Sequence, residues 1–246
     1  HIVIPDAEEN PVDALYSGGD GYVVPDTGKR MALYEQWSTR LGCQAVSQLI
    51  ENNKVNPNEI EHLITISCTG FFAPGQDYAI IKHLGLNRAI RRTNIGFMGC
   101  AASLIGFTNA VAALKQLSSP QKKILLVSLE LCSLHMQTEP TKDNILANLL
   151  FADGCAAVLF GNSSDTGIRF AVEDTYSFLF EDSNQYMGWK VGSHGFQMIL
   201  SQELPQLIAA HAVPALKQWL KSKGYIPEDI QHWAMQSSRR WKMVLA

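Results

Sequence analysis

The chain has 246 residues, 46% of them hydrophobic and 17% charged, with a formal net charge of −3. That is apolar material for one large domain or two small ones, and the slight negative charge speaks against a nucleic-acid partner, which wants a basic face. No apolar run reaches the roughly 18 residues that a membrane span needs, and the basic clusters Arg88–Arg92 and Arg239–Lys242 are too short to define a binding surface.

Residues 1–30 are rich in Pro, Gly and Asp and read as an irregular lead-in. From Thr27 to Asn53 the apolar residues Met31, Leu33, Trp37, Leu41, Ala45, Leu49 and Ile50 recur near the helical period, which predicts an amphipathic helix. Asn56–Glu59 is a turn. The β-branched run His62–Cys68 predicts a buried strand, Gly70–Gly75 a loop, and Asp77–Leu84 a short helix that stops at Gly85. Arg92–Phe97 reads as a strand and the Ala-rich Ala101–Leu117 as a helix, in which Ser103 and Gly106 allow close approach.

The apolar run Lys123–Leu131 predicts a strand covered on both faces. A helix over Asn144–Phe151 and a strand over Cys155–Gly161 follow. Gly167–Asp174 reads as a further strand, Glu203–Lys223 as a long amphipathic helix stopped at Gly224, Pro227–Ile230 as a short helix, and Gln231–Met235 as the start of a strand. Strands alternating with helices predict an α/β fold with helices on both faces of a sheet.

The five cysteines, Cys43, Cys68, Cys100, Cys132 and Cys155, are spaced 23 to 32 residues apart. With no CxxC pair and no Cys/His ligand spacing, neither a metal site nor a disulfide framework is expected. Such cysteine usage suits a reducing cytoplasm.

Cys100 stands between the predicted strand and the small-residue helix, in Asn94-Ile-Gly-Phe-Met-Gly-Cys100-Ala-Ala102. At a helix N-terminus, unpaired amides and the helix dipole favour the thiolate, which is the nucleophile of covalent acyl chemistry. The plain alternative is a small buried hydrophobe. An α/β-hydrolase elbow needs glycines two before and two after the nucleophile, where Met98 and Ala102 stand. A papain-like signature and Gly-rich phosphate loops are absent too.

Several segments carry a resemblance. Ser67-Cys-Thr-Gly-Phe-Phe-Ala-Pro-Gly-Gln-Asp-Tyr78 resembles the "TSG…PGxDY" segment of thiolase-like condensing enzymes, and Gly96–Ala102 resembles their nucleophile turn. Glu130-Leu-Cys-Ser-Leu-His135, Leu150-Phe-Ala-Asp-Gly-Cys-Ala-Ala157 and Trp189–Leu200 resemble the microbial type III polyketide synthases, relatives of chalcone synthase. The resemblance covers about residues 27 to 235. It implies a thiolase-like αβαβα layered fold, with the N-terminal half over 1–165 and the opening of the C-terminal half over 166–246.

It also implies an acyltransferase. Cys100 would take a starter from acyl-CoA as a thioester, and malonyl-CoA would be decarboxylated to supply the extending carbanion. Both are substrates; no permanently bound cofactor is implied. Phe151 matches the gatekeeper phenylalanine at the mouth of the CoA tunnel. Cys68, Thr69, Cys132, His135 and Phe196 match pocket-lining positions that set starter size and chain length. Ala73 matches a position at the partner subunit's cavity, so a homodimer is implied, with neither nucleic acid nor membrane as partner.

One departure stands out. The family uses a histidine in an HPGG loop and a later asparagine to drive decarboxylation. Here Gln231–Met235 leads up to that loop, but the histidine's place falls at or beside Gln236, and no HPGG follows. His232 lies four residues too early to substitute. The tail Gln236–Leu245 can be encoded by codons that, read one base later, spell an HPGG stretch, so a shifted reading frame is one expected origin. The expectation is a fragment, truncated at both ends, impaired in condensation. Other condensing enzymes of the superfamily, of the 3-oxoacyl-carrier-protein synthase III or hydroxymethylglutaryl-CoA synthase kind, and a non-catalytic dimerisation partner are the competing readings.

Overall fold

The computed structural model describes residues 15–18, 21–162 and 170–234. Ser17–Gly18 (β1) and Gly21–Tyr22 (β2) form a small antiparallel ladder. There follow Thr27–Asn53 (α1), Ile60–Ser67 (β3), Gln76–Leu84 (α2), Arg91–Gly96 (β4), Ala102–Leu114 (α3), Lys123–Glu130 (β5), Lys142–Leu150 (α4), Gly154–Gly161 (β6), Met187–Gly192 (β7), Gly195–Leu200 (β8) and Leu204–Ser222 (α5).

The central sheet has the order β4-β3-β5-β6. β3 runs parallel to both β4 and β5, and β6 runs antiparallel to β5. Because side chains alternate along a strand, the two central strands feed two cores. Ile64, Ile66, Ile124 and Leu126 face α3, packing with Ala102, Ala110 and Ala113. Leu63, Leu125 and Val127 face the other side, against Val46 of α1 and Ile80 of α2. Both faces being covered explains why β3 and β5 read as continuous apolar runs.

α3 lies close to the sheet because Gly106 has no side chain. A Cβ there would stand 2.6 Å from Ile66 Cδ1 and 2.7 Å from Leu126 Cδ1. α1 begins at Asp26, whose carboxylate accepts from the Lys29 N–H, and stops at Lys54 in the left-handed region. α2 stops at Gly85, with φ 63°.

The chain divides into two compact units. One runs to Thr175 and includes Trp189–Gln197, the outer part of the β7–β8 hairpin; it holds the sheet. The other comprises Tyr176–Gly188 and the residues from Met198 onward. Within it Tyr176 stacks on Trp219 of α5, with ring centroids 5.4 Å apart, and Phe180 lies against His211 at 5.5 Å.

The helix expected over Thr27–Asn53 has those limits, and the strands at 62–68, 92–97, 123–131 and 155–161 form within a residue or two of expectation. The helix expected from Ala101 is preceded by a 3₁₀ turn over Gly99–Ala101. The strand expected over Gly167–Asp174 is not formed at 170–174, while 163–169 lie outside the described residues. Residues 231–234 are not in a strand, and Met235 lies outside the described residues. The β7–β8 hairpin was not expected, because its glycines and polar residues dilute the alternation that marks a strand. Among the described residues no helix is long and apolar enough to cross a membrane.

Leu126 is buried between β3, β5 and α3. Leu126→Ala is expected to lower the unfolding free energy by about 2–5 kcal/mol, the usual cost of emptying a packed leucine site. Urea titration of both proteins checks it.

Candidate active site

The parallel strands β3, β4 and β5 end on one side of the sheet, where open α/β folds place their ligands. Ile66 pairs with Ser128, so Ser67–Thr69 and Leu129–Leu131 leave the sheet side by side. Glu130 joins them. Its carboxylate accepts the Cys68 N–H at 2.9 and 3.0 Å and the Thr69 hydroxyl at 2.7 Å. Thr69 Oγ1 in turn accepts the Leu131 N–H at 2.8 Å. Burial pushes the Glu130 carboxyl above the usual range, and the bonds from Thr69 and Cys68 oppose that rise.

β4 runs into the turn that carries Cys100. Phe97 (φ 55°) and Gly99 (φ 68°) both take left-handed backbone, a conformation that costs a non-glycine residue on the order of 1–3 kcal/mol and persists only where surroundings hold it. They do. The Phe97 N–H donates to Ser67 O at 3.4 Å, and the Gly99 N–H to Cys68 Sγ at 3.2 Å. Gly99–Ala101 is a 3₁₀ turn leading directly into α3, so Cys100 sits at a helix N-terminus as its flanking residues predict. Its side chain is exposed, which disposes of the alternative of a buried structural thiol.

After β5 comes a second 3₁₀ turn, Cys132–His135. Asp153 holds one end, accepting the Ser133 N–H at 2.8 Å and its hydroxyl at 2.6 Å. Arg30 of α1, fully buried, holds the other, donating from Nη1 to Leu134 O at 2.7 Å and to Met136 O at 3.1 Å. The Cys132 thiol is pushed up to about 12, first by burial and then by Glu130, Asp153 and Cys100 nearby.

His135 has a determined tautomer. Its Nδ1 accepts the Phe196 N–H at 3.0 Å, so Nε2 carries the proton and donates to Thr69 O at 2.6 Å. Burial, with a contribution from Arg30, lowers its pKa to about 4. Both ring nitrogens being engaged, His135 is not available as a base. The Phe196 ring stacks on it at 4.1 Å and also meets Phe71 at 6.2 Å, Phe97 at 5.5 Å and Trp189 at 5.7 Å. Trp189 donates from its indole to Cys68 O at 2.7 Å.

Of the residues singled out from sequence, Cys68, Thr69, Cys132, His135 and Phe196 thus gather at the ends of β3 and β5, with the Cys100 turn bonded to Cys68. Phe151 stands apart. It is half-buried at the C-terminal end of α4, and among the described residues it makes no ring contact with the Phe71–Phe97–Phe196 group. A link does reach its helix. Gln137 and Asn148 of α4 exchange two hydrogen bonds, and the Gln137 carboxamide donates to the carbonyls of His135, His194 and Phe196. Sequence reasoning did not pick out Glu130, Arg30, Asp153, Gln137 or Trp189 as site-building residues. Among the described residues no group of three or more His, Cys, Asp or Glu could hold a metal ion.

A sequence profile described as FAE1/type III polyketide synthase-like protein matches residues 23–173. The chain belongs to the type III polyketide synthase family. It is 29% identical over 212 residues to the 1,3,6,8-tetrahydroxynaphthalene synthase of Streptomyces peucetius subsp. caesius, covering 85% of this chain and 55% of that protein. It is 30% identical over 211 residues to the alpha-pyrone synthesis polyketide synthase-like Pks18 of Mycobacterium tuberculosis, covering 84% and 53%. The crystal structure of PKS-I from the brown alga Ectocarpus siliculosus superposes with a TM-score of 0.83 at 29% identity, over 93% of this chain and 60% of that one. The fold is therefore thiolase-like, as expected, and the chain spans about half the length of the curated relatives it matches.

In this type III synthase chain His135 is neutral in the fold at a pH where the unfolded chain protonates it. Unfolding therefore takes up a proton, and the associated stability is complete above pH 6.5 and lost as pH falls toward 4. Between pH 7 and 5 the wild type is expected to lose about 2 kcal/mol more than His135→Gln. Urea titrations of both proteins at the two pH values measure the difference.

Proposed function

We propose that Cys100 accepts an acyl group from acyl-CoA as the first step of a polyketide-type condensation. The observation that carries this reading is an exposed thiol on a held turn at the N-terminus of α3. The thiolate sulfur attacks the thioester carbonyl, the tetrahedral oxyanion collapses, and the CoA thiolate leaves and takes up a proton. Helix N-terminal amides favour both the thiolate and the developing oxyanion. The family membership and the relatives' names support this chemistry for the whole protein.

On the same reading, malonyl-CoA is the extender, Phe151 guards the CoA entrance, and Thr69, Cys132, His135 and Phe196 shape the space for the growing chain. The intact enzyme pairs as a homodimer. Decarboxylation asks for a histidine that no residue of this sequence matches, since its place falls at or beside Gln236. Taken alone, the chain is therefore expected to load an acyl group without extending it.

Incubation with a panel of acyl-CoA esters, followed by intact and peptide mass measurement, tests the reading. A single acyl adduct on the Cys100 peptide is expected, absent in Cys100→Ala, with no polyketide released when malonyl-CoA is added. No adduct, or one that survives in Cys100→Ala, would sink the acyl-transfer reading; polyketide release would sink the loading-only reading.

A further inference from the structure

We propose that Cys68 is a positioning residue for Cys100: its sulfur holds the Gly99 amide and so fixes the turn on which the nucleophile stands. The inference rests on the reading of Cys100 as the acyl acceptor and assigns Cys68 a task other than lining the pocket.

The geometry is specific. Cys68 is anchored at both ends of its own backbone: its N–H donates to both oxygens of Glu130, and its carbonyl accepts the Trp189 indole N–H. Its sulfur is therefore presented at a fixed point beyond the end of β3. There it accepts the Gly99 N–H at 3.2 Å, and the same sulfur lies 3.8 Å from Gly99 O, within reach of a thiol hydrogen bond. Gly99 is the first residue of the 3₁₀ turn and Cys100 the second. The first amide of such a turn has no partner within it, so an outside acceptor sets the direction of that peptide and of the amides that follow.

One further fact favours this task. The turn has two left-handed residues, Phe97 and Gly99, each held by its amide, Phe97 to Ser67 O and Gly99 to Cys68 Sγ. Removing one tie leaves a strained turn on a single anchor. Burial and Glu130 raise the Cys68 thiol above its ordinary range, so the acceptor is a neutral sulfur and places no negative charge beside the nucleophile.

Alkylation of Cys100 by iodoacetamide at one fixed pH, followed by peptide mass measurement, tests the proposal in the protein as it stands. Cys68→Ala is expected to slow alkylation of Cys100 by about threefold or more, as the turn that presents the thiol loses an anchor. Cys68→Ser, whose hydroxyl accepts the same amide, is expected to slow it less. A Cys68→Ala protein that loses thermal stability but keeps the wild-type alkylation rate overturns the proposal, because it marks Cys68 as packing alone. Amide exchange in the unaltered protein gives a reading that needs no variant. A protected Gly99 N–H supports the bond, and one exchanging as freely as an exposed loop amide overturns it. Alkylation needs no CoA ester, so failure of wild-type Cys100 to take an acyl group counts against the proposed function and leaves the change in alkylation rate to judge the positioning role.

Discussion

At the ends of β3 and β5 a partly buried carboxylate, Glu130, takes hydrogen bonds from the backbone of Cys68 and the hydroxyl of Thr69. A carboxylate out of water is costly unless its oxygens are satisfied, and here that demand organises the site. Satisfying Glu130 fixes Cys68, whose sulfur anchors the Cys100 turn and whose carbonyl anchors Trp189. It also orients Thr69, whose hydroxyl takes the Leu131 amide and whose carbonyl takes the His135 proton. The Cys100 turn, the turn after β5 and the outer part of the β7–β8 hairpin are thus referred to one carboxyl group at the end of a parallel strand pair.

What was legible in the sequence, and what was not, divides along physical lines. Period and branching marked α1, β3 and β5, because each buries a face or two faces regularly. The small residues around Cys100 marked the turn, because a tight approach leaves few choices of side chain. Arg30 was not legible. It stands in the first turn of an amphipathic helix, where a basic residue ordinarily faces water, yet it is fully buried and braces the Cys132–His135 turn. Gly195 shows the same limit from the other side. Its φ of 89° and the Arg30 side chain that a Cβ would meet at 2.9 Å depend on a contact across 165 positions, which no local pattern encodes. Glu130 read as the end of an apolar strand, since its partners come from a segment more than 60 residues earlier.

The family assignment and the site geometry bear on different questions. Membership accounts for the thiolase-like sheet. It does not explain how this chain holds the Cys100 turn, and that comes from Glu130, Cys68 and Gly99. Nor does membership alone assign His135: the tautomer fixed by Phe196 and Thr69 removes it from acid–base chemistry. A buried polar side chain is thus made inert by its neighbours, with the Phe196 ring stacked on the imidazole.

The Gln137 carboxamide has a consequence of a mechanical kind. Its two amide hydrogens are shared among three carbonyls, two of them at His194 and Phe196 in the hairpin, while its backbone is clasped to Asn148 in α4. The residue therefore acts as a cross-brace between the helix that ends at Phe151 and the strand that begins at Gly195. Neither can be displaced without stretching bonds that also load the other. The helix that ends at Phe151 and the strand that carries Phe196 are thereby tied through a single side chain.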